Sequence, residues 1–167
     1  FATAALLLSL GVSGPALAQG QLPRAVVPVA YDITVRPDAK ALTFTGRETV
    51  TVDVKQPTAT VTLNAADLEI KSATFDGRAV PVKLDAAAQT GKINQSASGL
   101  FASDYVDADG TPARMLATQF EAPDARRFAP MWDEPAFKAR FRLSTVAPAG
   151  QLAVSNMPVA EITKQAD

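Results

Sequence analysis

The sequence predicts an all-β fold, either a β-sandwich or a pair of curved antiparallel sheets. Apolar and polar residues alternate with a period of two in several segments, and turn signals rich in Gly and Asp separate those segments. After the first 18 residues, no helical periodicity extends beyond a turn or two. Many short strands between turns are typical of sheets that pack face to face.

The first two strand predictions rest on clear alternation. In AYDITVRPD, Tyr31, Ile33 and Val35 share one face. In ALTFTGRETVTVDVK, one face is apolar except at Gly46 and Glu48, and a mid-strand glycine predicts a bulge or bend. The apolar residues of that face are Leu42, Phe44, Val50, Val52 and Val54.

Turn signals divide the rest of the chain. Asp76-Gly77 suits a type I′ hairpin turn, because both central residues of that turn need a positive φ. Asp109-Gly110 predicts a second turn, and the small polar segment Asp85–Ser98 predicts a loop. Further strands are predicted in ATVTLNA (with Val61 and Leu63 inward), RMLATQFE, ARFRLSTVAP and QLAVSNMPVAEIT.

Composition limits the function classes. The chain has 167 residues, the length of one ordinary domain, and its net charge of -1 offers no electrostatic basis for binding nucleic acid. It contains no His and no Cys. Neither a Ser-His-Asp arrangement nor a usual zinc site can therefore form within this chain.

The first segment, FATAALLLSLGVSGPALAQG, looks like a secretory signal peptide without its basic start. An apolar run from Ala4 to Val12 precedes Gly14-Pro15, and Ala16-Leu17-Ala18 places small residues where a signal peptidase cleaves. We therefore expect a signal peptide remnant at 1–18, a β domain at 19–167, and a periplasmic or secreted protein. The alternative is a short buried helix; the run is too short to span a membrane.

Gln119 and Glu121 are the candidate binding residues. Two positions apart, they project from the same face of an extended strand. Met115 and Ala117 precede them on that face and are predicted to point inward, so the face changes from apolar to polar. A carboxylate beside an amide suits recognition of a hydrogen-bonding cation such as an amine. A solvated strand end is the alternative, and the residues alone leave both open.

Two other acidic segments have simpler interpretations. In DYVDADGTPARML, placing Gly110 at the sixth position of a calcium loop puts Tyr105 first and Leu116 twelfth, where oxygen ligands are needed. A hairpin turn is favoured there. Asp133 and Glu134 are adjacent and would point to opposite faces of a strand. We expect them to cap a short helix or to pair with Arg126, Arg127 or Arg140.

Longer motifs carry a family resemblance. GLFASDY, then TQFEAPDARRFAPMWDEPAFKARFRL, then SNMP closely resembles the amino-terminal domain of the M1 (gluzincin) zinc aminopeptidases, the aminopeptidase N-like enzymes. LPRAVVPVAYDITVRPD with FTGRETVTV resembles the opening strands of that domain, so the resemblance runs from about Leu22 to the carboxyl end. It implies a saddle-shaped antiparallel β domain followed by a thermolysin-like catalytic domain.

The resemblance also implies residue roles. Glu121 would help to bind the free α-amino group of a peptide substrate, and Gln119 would line the pocket for the first side chain. Segments 124–127 and 132–135 would be structural. The catalytic zinc would belong to the His-Glu-x-x-His motif of the catalytic domain, against which this domain packs. We therefore expect the complete enzyme to remove amino-terminal residues from peptides, and this chain alone to bind no catalytic zinc and to be inactive.

Two features depart from the family pattern. Many relatives have Cys at the position of Met131, where another apolar residue should be tolerated. Relatives usually have further strands before the position of Gly99, so strands are expected to be missing around Asp85–Ser98. The alternative functions are a stand-alone extracytoplasmic β-sandwich module that binds a protein or glycan, and a degraded gene without function.

Overall fold

The computed structural model describes residues 21–83 and 93–164. Strands and one short 3-10 helix form its secondary structure, which confirms the all-β prediction. The predicted signal peptide at 1–18 and most of the predicted loop Asp85–Ser98 lie outside the described residues. The strands are β1 (Val26–Asp38), β2 (Thr43–Val54), β3 (Thr74–Phe75), β4 (Arg78–Ala79), β5 (Gly99–Val106), β6 (Pro112–Gln119) and β7 (Arg140–Thr145), and the 3-10 helix is Ala125–Arg127.

The main sheet has three strands in the order β2-β1-β7. β1 and β2 are antiparallel, with Tyr31 opposite Val50. β7 runs parallel to β1, with Phe141 opposite Tyr31, and this strand direction differs from the antiparallel prediction. A parallel neighbour needs a crossover connection. The chain between β2 and β7 supplies it and carries the hairpins β3-β4 and β5-β6.

The hydrophobic core lies between one face of the main sheet and the hairpin β5-β6, which makes the domain sandwich-like. Leu100 of β5 is buried, and Leu116 of β6 packs against the same cluster. The ring of Phe128, which follows the 3-10 helix, lies 6.0 Å from that of Phe44. The buried residues are Leu22, Val26, Tyr31, Ile33, Val35, Phe44, Ile93, Leu100, Phe128, Ala129, Met131 and Trp132.

Gly46 does not form the predicted bulge. It lies in regular register opposite Val35, and the register shift between β1 and β2 occurs instead between Pro28 and Ala30. A Cβ atom at residue 46 would lie 2.9 Å from the carbonyl oxygen of Thr34. Glycine at residue 46 therefore allows the two strands to approach each other closely. Close approach of another backbone is, besides a bulge, a common reason for a glycine within a strand.

The face of the hairpin β5-β6 that packs on the core is not the one that the sequence predicted. Met115 and Ala117 were expected to point inward, but Met115 is 49% exposed, whereas Leu116 packs against the core. A period of two defines two faces without selecting the buried one. The strand pairing selects it here, because Leu116 lies opposite Ala102, two residues from the buried Leu100.

Both predicted hairpin turns form. Asp76 and Gly77 have φ angles of 49° and 75°, the positive values of a type I′ turn, and β3 pairs with β4 on either side. Between β5 and β6, the N–H of Gly110 donates to the carbonyl oxygen of Asp107 at 2.9 Å. Turn chemistry is local, which is why the sequence predicts it well.

Two predicted strands are not strands in the described residues. ATVTLNA contributes only a bridge between Asn64 and Met131, and Val61 is 43% exposed. QLAVSNMPVAEIT forms no strand and bends at residues 156–157, and Leu152 is 88% exposed. β7 forms as predicted, yet its Phe141 is 61% exposed. Alternation therefore predicted β7 correctly and the other two strands wrongly, and for none of the three segments does it show what the side chains contact.

Candidate functional site

Gln119 and Glu121 lie at the end of β6 that is remote from the β5-β6 turn. Gln119 is half-buried, ends the strand and pairs in register with Gly99, the first residue of β5. Glu121 is exposed and lies beyond the strand. The prediction that both residues belong to one strand is therefore wrong, because pairing stops at Gln119. Both remain at the same end of the hairpin.

Backbone hydrogen bonds and one aromatic contact hold the turn after β6. The N–H of Asp124 donates to the carbonyl oxygen of Glu121 at 2.8 Å, and the N–H of Arg127 donates to that of Asp124 at 3.1 Å. The ring of Phe120 lies 5.2 Å from that of Phe128 in the core. The backbone at Glu121 is therefore fixed on both sides, while its side chain is exposed.

Arg127 joins this turn to two other segments. Its Nε atom donates to Oδ1 of Asp124 at 3.1 Å, and its guanidinium also forms an ion pair with Asp67. A Cβ atom at Gly99 would lie 2.9 Å from the Cβ atom of Arg127, and Gly99 has a φ of 64°. Sequence reasoning missed Asp67 and Gly99 as partners, because neither is near Arg127 in the chain.

Arg126 and Asp133 form a second ion pair. Nε of Arg126 lies 2.8 Å from Oδ2 of Asp133, and the backbone N–H of Arg126 donates to the same oxygen at 3.2 Å. Of the arginines named as possible partners, Arg126 pairs with Asp133. Oε1 of Glu134 accepts a hydrogen bond of 2.5 Å from the N–H of Leu22. Both acidic residues of the Trp-Asp-Glu-Pro segment thus have structural contacts.

Glu48 is a carboxylic acid on the core-facing side of β2. Burial raises its pKa to about 8. Among the described residues its Oε2 atom has no hydrogen-bond partner. Nearby, burial raises the pKa of Tyr31 to about 12, and the Tyr31 phenol oxygen accepts a hydrogen bond from the N–H of Trp132. The sequence signal for this group was its position as the one charged residue on an apolar strand face.

The residues present do not fit a catalytic zinc site. The sequence has no His and no Cys, and residues 21–83 and 93–164 contain no group of three or more His, Cys, Asp or Glu side chains that could hold a metal ion. The aspartates of the β5-β6 hairpin have local partners: Oδ1 of Asp109 accepts from the N–H of Thr111 at 2.9 Å, and Asp104 pairs with Arg114.

No helix within the described ranges is long and apolar enough to cross a membrane.

One family model matches the chain over most of its length. This model, the peptidase M1 N-terminal domain, matches residues 27–90 and 81–167. The chain belongs to the M1 peptidase family. The resemblance found in the motifs is therefore confirmed. The two matched segments of this M1 domain overlap at residues 81–90. This overlap lies beside and partly within the segment Asp85–Ser98, around which strands were expected to be missing.

Known aminopeptidases are similar to most of this M1 domain. Aminopeptidase N of Acetobacter pasteurianus is 42% identical over 170 residues, which cover 89% of this chain and 48% of that protein. Aminopeptidase M1-C of Oryza sativa subsp. japonica is 40% identical over 167 residues, which cover 85% of this chain and 19% of that protein. Aminopeptidase M1 of Arabidopsis thaliana is 33% identical over 171 residues, which cover 84% of this chain and 19% of that protein. The chain thus spans about half the length of the bacterial relative and about a fifth of the plant proteins.

Proposed function

We propose that this chain is the amino-terminal substrate-cleft domain of a zinc metallo-aminopeptidase, which removes amino-terminal residues from peptides. In this proposal Glu121 binds the free α-amino group and Gln119 lines the pocket for the first side chain. The observation that carries the proposal is the exposed carboxylate of Glu121, two residues beyond the half-buried amide of Gln119, in a turn whose backbone is held by hydrogen bonds. The aminopeptidase relatives support peptides as the substrate class.

A carboxylate suits selection of a free amino terminus. Its hydrogen bonds to an ammonium group are charge-assisted and stronger than those between neutral groups. Within the described residues, the carboxylate of Glu121 has no hydrogen bond or ion pair, so it is accessible to a ligand. A blocked amino terminus would leave this charge without its partner, and such peptides would be rejected.

The catalytic zinc is proposed to belong to a separate catalytic domain of the complete enzyme. This chain, with no His and no Cys, lacks the usual zinc ligands and is proposed to be inactive by itself. When bound in that domain, zinc would polarise the peptide carbonyl and activate a water molecule. The contribution of this domain is to hold the amino terminus of the substrate.

An exposed apolar surface is proposed to pack against that catalytic domain. On β7, Phe141 and Leu143 are 61% and 48% exposed, and further along the chain Leu152 and Ile162 are 88% and 86% exposed. Exposed apolar patches mark interaction surfaces.

We also propose that the protein is exported to the periplasm or outside the cell, on the basis of the sequence pattern at 1–18.

The substitution Glu121→Gln in the complete enzyme tests the amine-binding role. We expect kcat/KM for peptides with a free amino terminus to fall about 5- to 13-fold, because glutamine keeps an acceptor oxygen but loses the negative charge, and hydrogen bonds with and without that charge differ by about 1–1.5 kcal/mol. Glu161→Gln is the control, since Glu161 is also exposed but lies outside the candidate site. Unchanged kinetics for Glu121→Gln would discard the role.

A further inference from the structure

Arg127 contacts one residue that adjoins Gln119 and another that adjoins Glu121. On one side, its side chain packs so closely on Gly99 that an added Cβ there would lie 2.9 Å from Cβ of Arg127. Gly99 is the cross-strand partner of Gln119. On the other side, Nε of Arg127 binds the side chain of Asp124, whose N–H donates to the carbonyl oxygen of Glu121 at 2.8 Å.

Asp67 completes the support of Arg127. Its carboxylate pairs with the same guanidinium that binds Asp124, so one planar cation links two carboxylates. The side chains of Arg127, Asp67 and Asp124 are 36%, 31% and 23% exposed, so the cluster is only partly open to water. The N–H of Ala66 also donates to the carbonyl oxygen of Arg126 at 3.0 Å, which ties the Asp67 segment to the 3-10 helix.

The shape of the arginine side chain is required for this arrangement. A guanidinium group offers several N–H donors in a rigid plane and can bind two carboxylates at once, whereas a lysine ammonium is a compact charge on a flexible stem. Lysine at residue 127 would keep the charge and much of the contact with Gly99, but it would not reproduce the fixed geometry toward both Asp67 and Asp124.

We infer that Arg127 is a positioning residue for recognition of the substrate amino group. It acts through Asp124 on the turn at Glu121 and through Gly99 on the strand end at Gln119. This inference rests on the proposed amine-binding role of Glu121. A recognition group works best when its supporting residues hold it in place before the ligand arrives. Loss of Arg127 should therefore weaken discrimination for the amine beyond any effect on stability.

The experiment compares two competitive inhibitors of the complete enzyme: a peptide analogue with a free amino group, and the same molecule with that group replaced by hydrogen. The ratio of their inhibition constants measures amine recognition. We expect Arg127→Ala to lower this ratio about three- to tenfold. Arg127→Lys should restore part of it. Asp124→Asn keeps the backbone N–H and a similar size, and it provides the test if Arg127→Ala does not fold.

Arg126→Ala is the matched control. Arg126 belongs to the same 3-10 helix and carries the same charge, but its partner is Asp133. The variant Arg126→Ala should lower the midpoint of unfolding without changing the ratio of the two inhibition constants. If Arg126→Ala lowers the ratio as much as Arg127→Ala does, the role of Arg127 is merely structural and the inference is overturned.

Glu121→Gln separates failure of the inference from failure of the proposed function. If Glu121→Gln lowers the ratio but Arg127→Ala and Asp124→Asn do not, the positioning role is wrong and the amine-binding role stands. If Glu121→Gln leaves the ratio unchanged, the amine-binding role fails, and the positioning role fails with it. A fall for Glu121→Gln, Arg127→Ala and Asp124→Asn, with none for Arg126→Ala, is the expected result.

Discussion

The phenol oxygen of Tyr31 accepts a hydrogen bond of 3.1 Å from the backbone N–H of Trp132. The two residues are 2% and 5% exposed, so this bond joins β1 to the segment after the 3-10 helix inside the core. Tyr31→Phe keeps the ring that stacks on Phe141 at 4.7 Å but leaves the N–H of Trp132 without its acceptor. We expect the free energy of unfolding to fall by about 1–3 kcal/mol.

Urea denaturation of the Tyr31→Phe variant checks this expectation. Tyr105→Phe is the control, because Tyr105 is 47% exposed and its hydroxyl can bond to water. That control should change the free energy of unfolding by no more than about 0.5 kcal/mol. Equal losses in the two variants would show that the Tyr31 hydrogen bond contributes nothing specific.

Gly99→Ala should destabilise the domain more than Gly110→Ala. Both glycines have a positive φ, 64° and 87°, so alanine costs about 1–2 kcal/mol of backbone energy at either position. Only at Gly99 does the new methyl group meet a neighbour, Cβ of Arg127 at 2.9 Å. We expect an additional loss of about 1–3 kcal/mol at Gly99, measured by urea denaturation. Equal losses would mean that the chain relieves the contact without cost.

Glu48 should make stability fall as the pH rises above the ordinary range of a carboxyl group. Burial raises its pKa from 4.5 to about 8 in the folded protein. Between those two values the folded state holds a proton that the unfolded chain has released, so the free energy of unfolding decreases with rising pH. Above the folded-state pKa the dependence ends, because both states are then ionised.

The substitution Glu48→Gln removes this titration. Urea denaturation between about pH 5 and about pH 9 should show a shallower decline than in the wild type, and the variant should be the more stable protein at the alkaline end. Glu161→Gln is the control, because it makes the same change of side chain at an exposed position. An identical decline in Glu48→Gln and the wild type would assign the pH dependence to other groups.

The ion pair of Arg126 and Asp133 should couple more strongly than that of Arg114 and Asp104. The first pair has side chains 25% and 12% exposed, and the second has 37% and 68%. Exposed pairs contribute little, because water and salt screen them. A double-mutant cycle to alanine should give about 1–2 kcal/mol of coupling for Arg126 and Asp133, and less for the exposed pair. A coupling that is larger in the exposed pair would contradict this order.

Part of the candidate site follows from local sequence. Gln119 and Glu121 stand out because an apolar alternation ends in two polar residues, and the neighbouring motifs resemble the M1 family. The partners of Arg127 do not follow in the same way. Asp67 and Gly99 come from other segments of the chain, and no local pattern indicates which distant carboxylate or glycine will meet an arginine.

The sequence by itself determined the local features of this protein. The alternation of β1 and the positive φ angles of the turn at Asp76-Gly77 depend on neighbouring residues, so both were predictable. The absence of His and Cys is a property of composition alone, and it means that these residues supply none of the usual zinc ligands. The M1 motifs are likewise contiguous stretches of sequence.

Only the tertiary structure decided how these segments combine. It set β7 parallel to β1, turned Leu116 rather than Met115 toward the core, and enclosed the Oε2 atom of Glu48. It also brought Arg127 against Gly99. The physical reason is that alternation specifies two faces of a strand but not what covers either one. That choice depends on contacts between residues far apart in the chain.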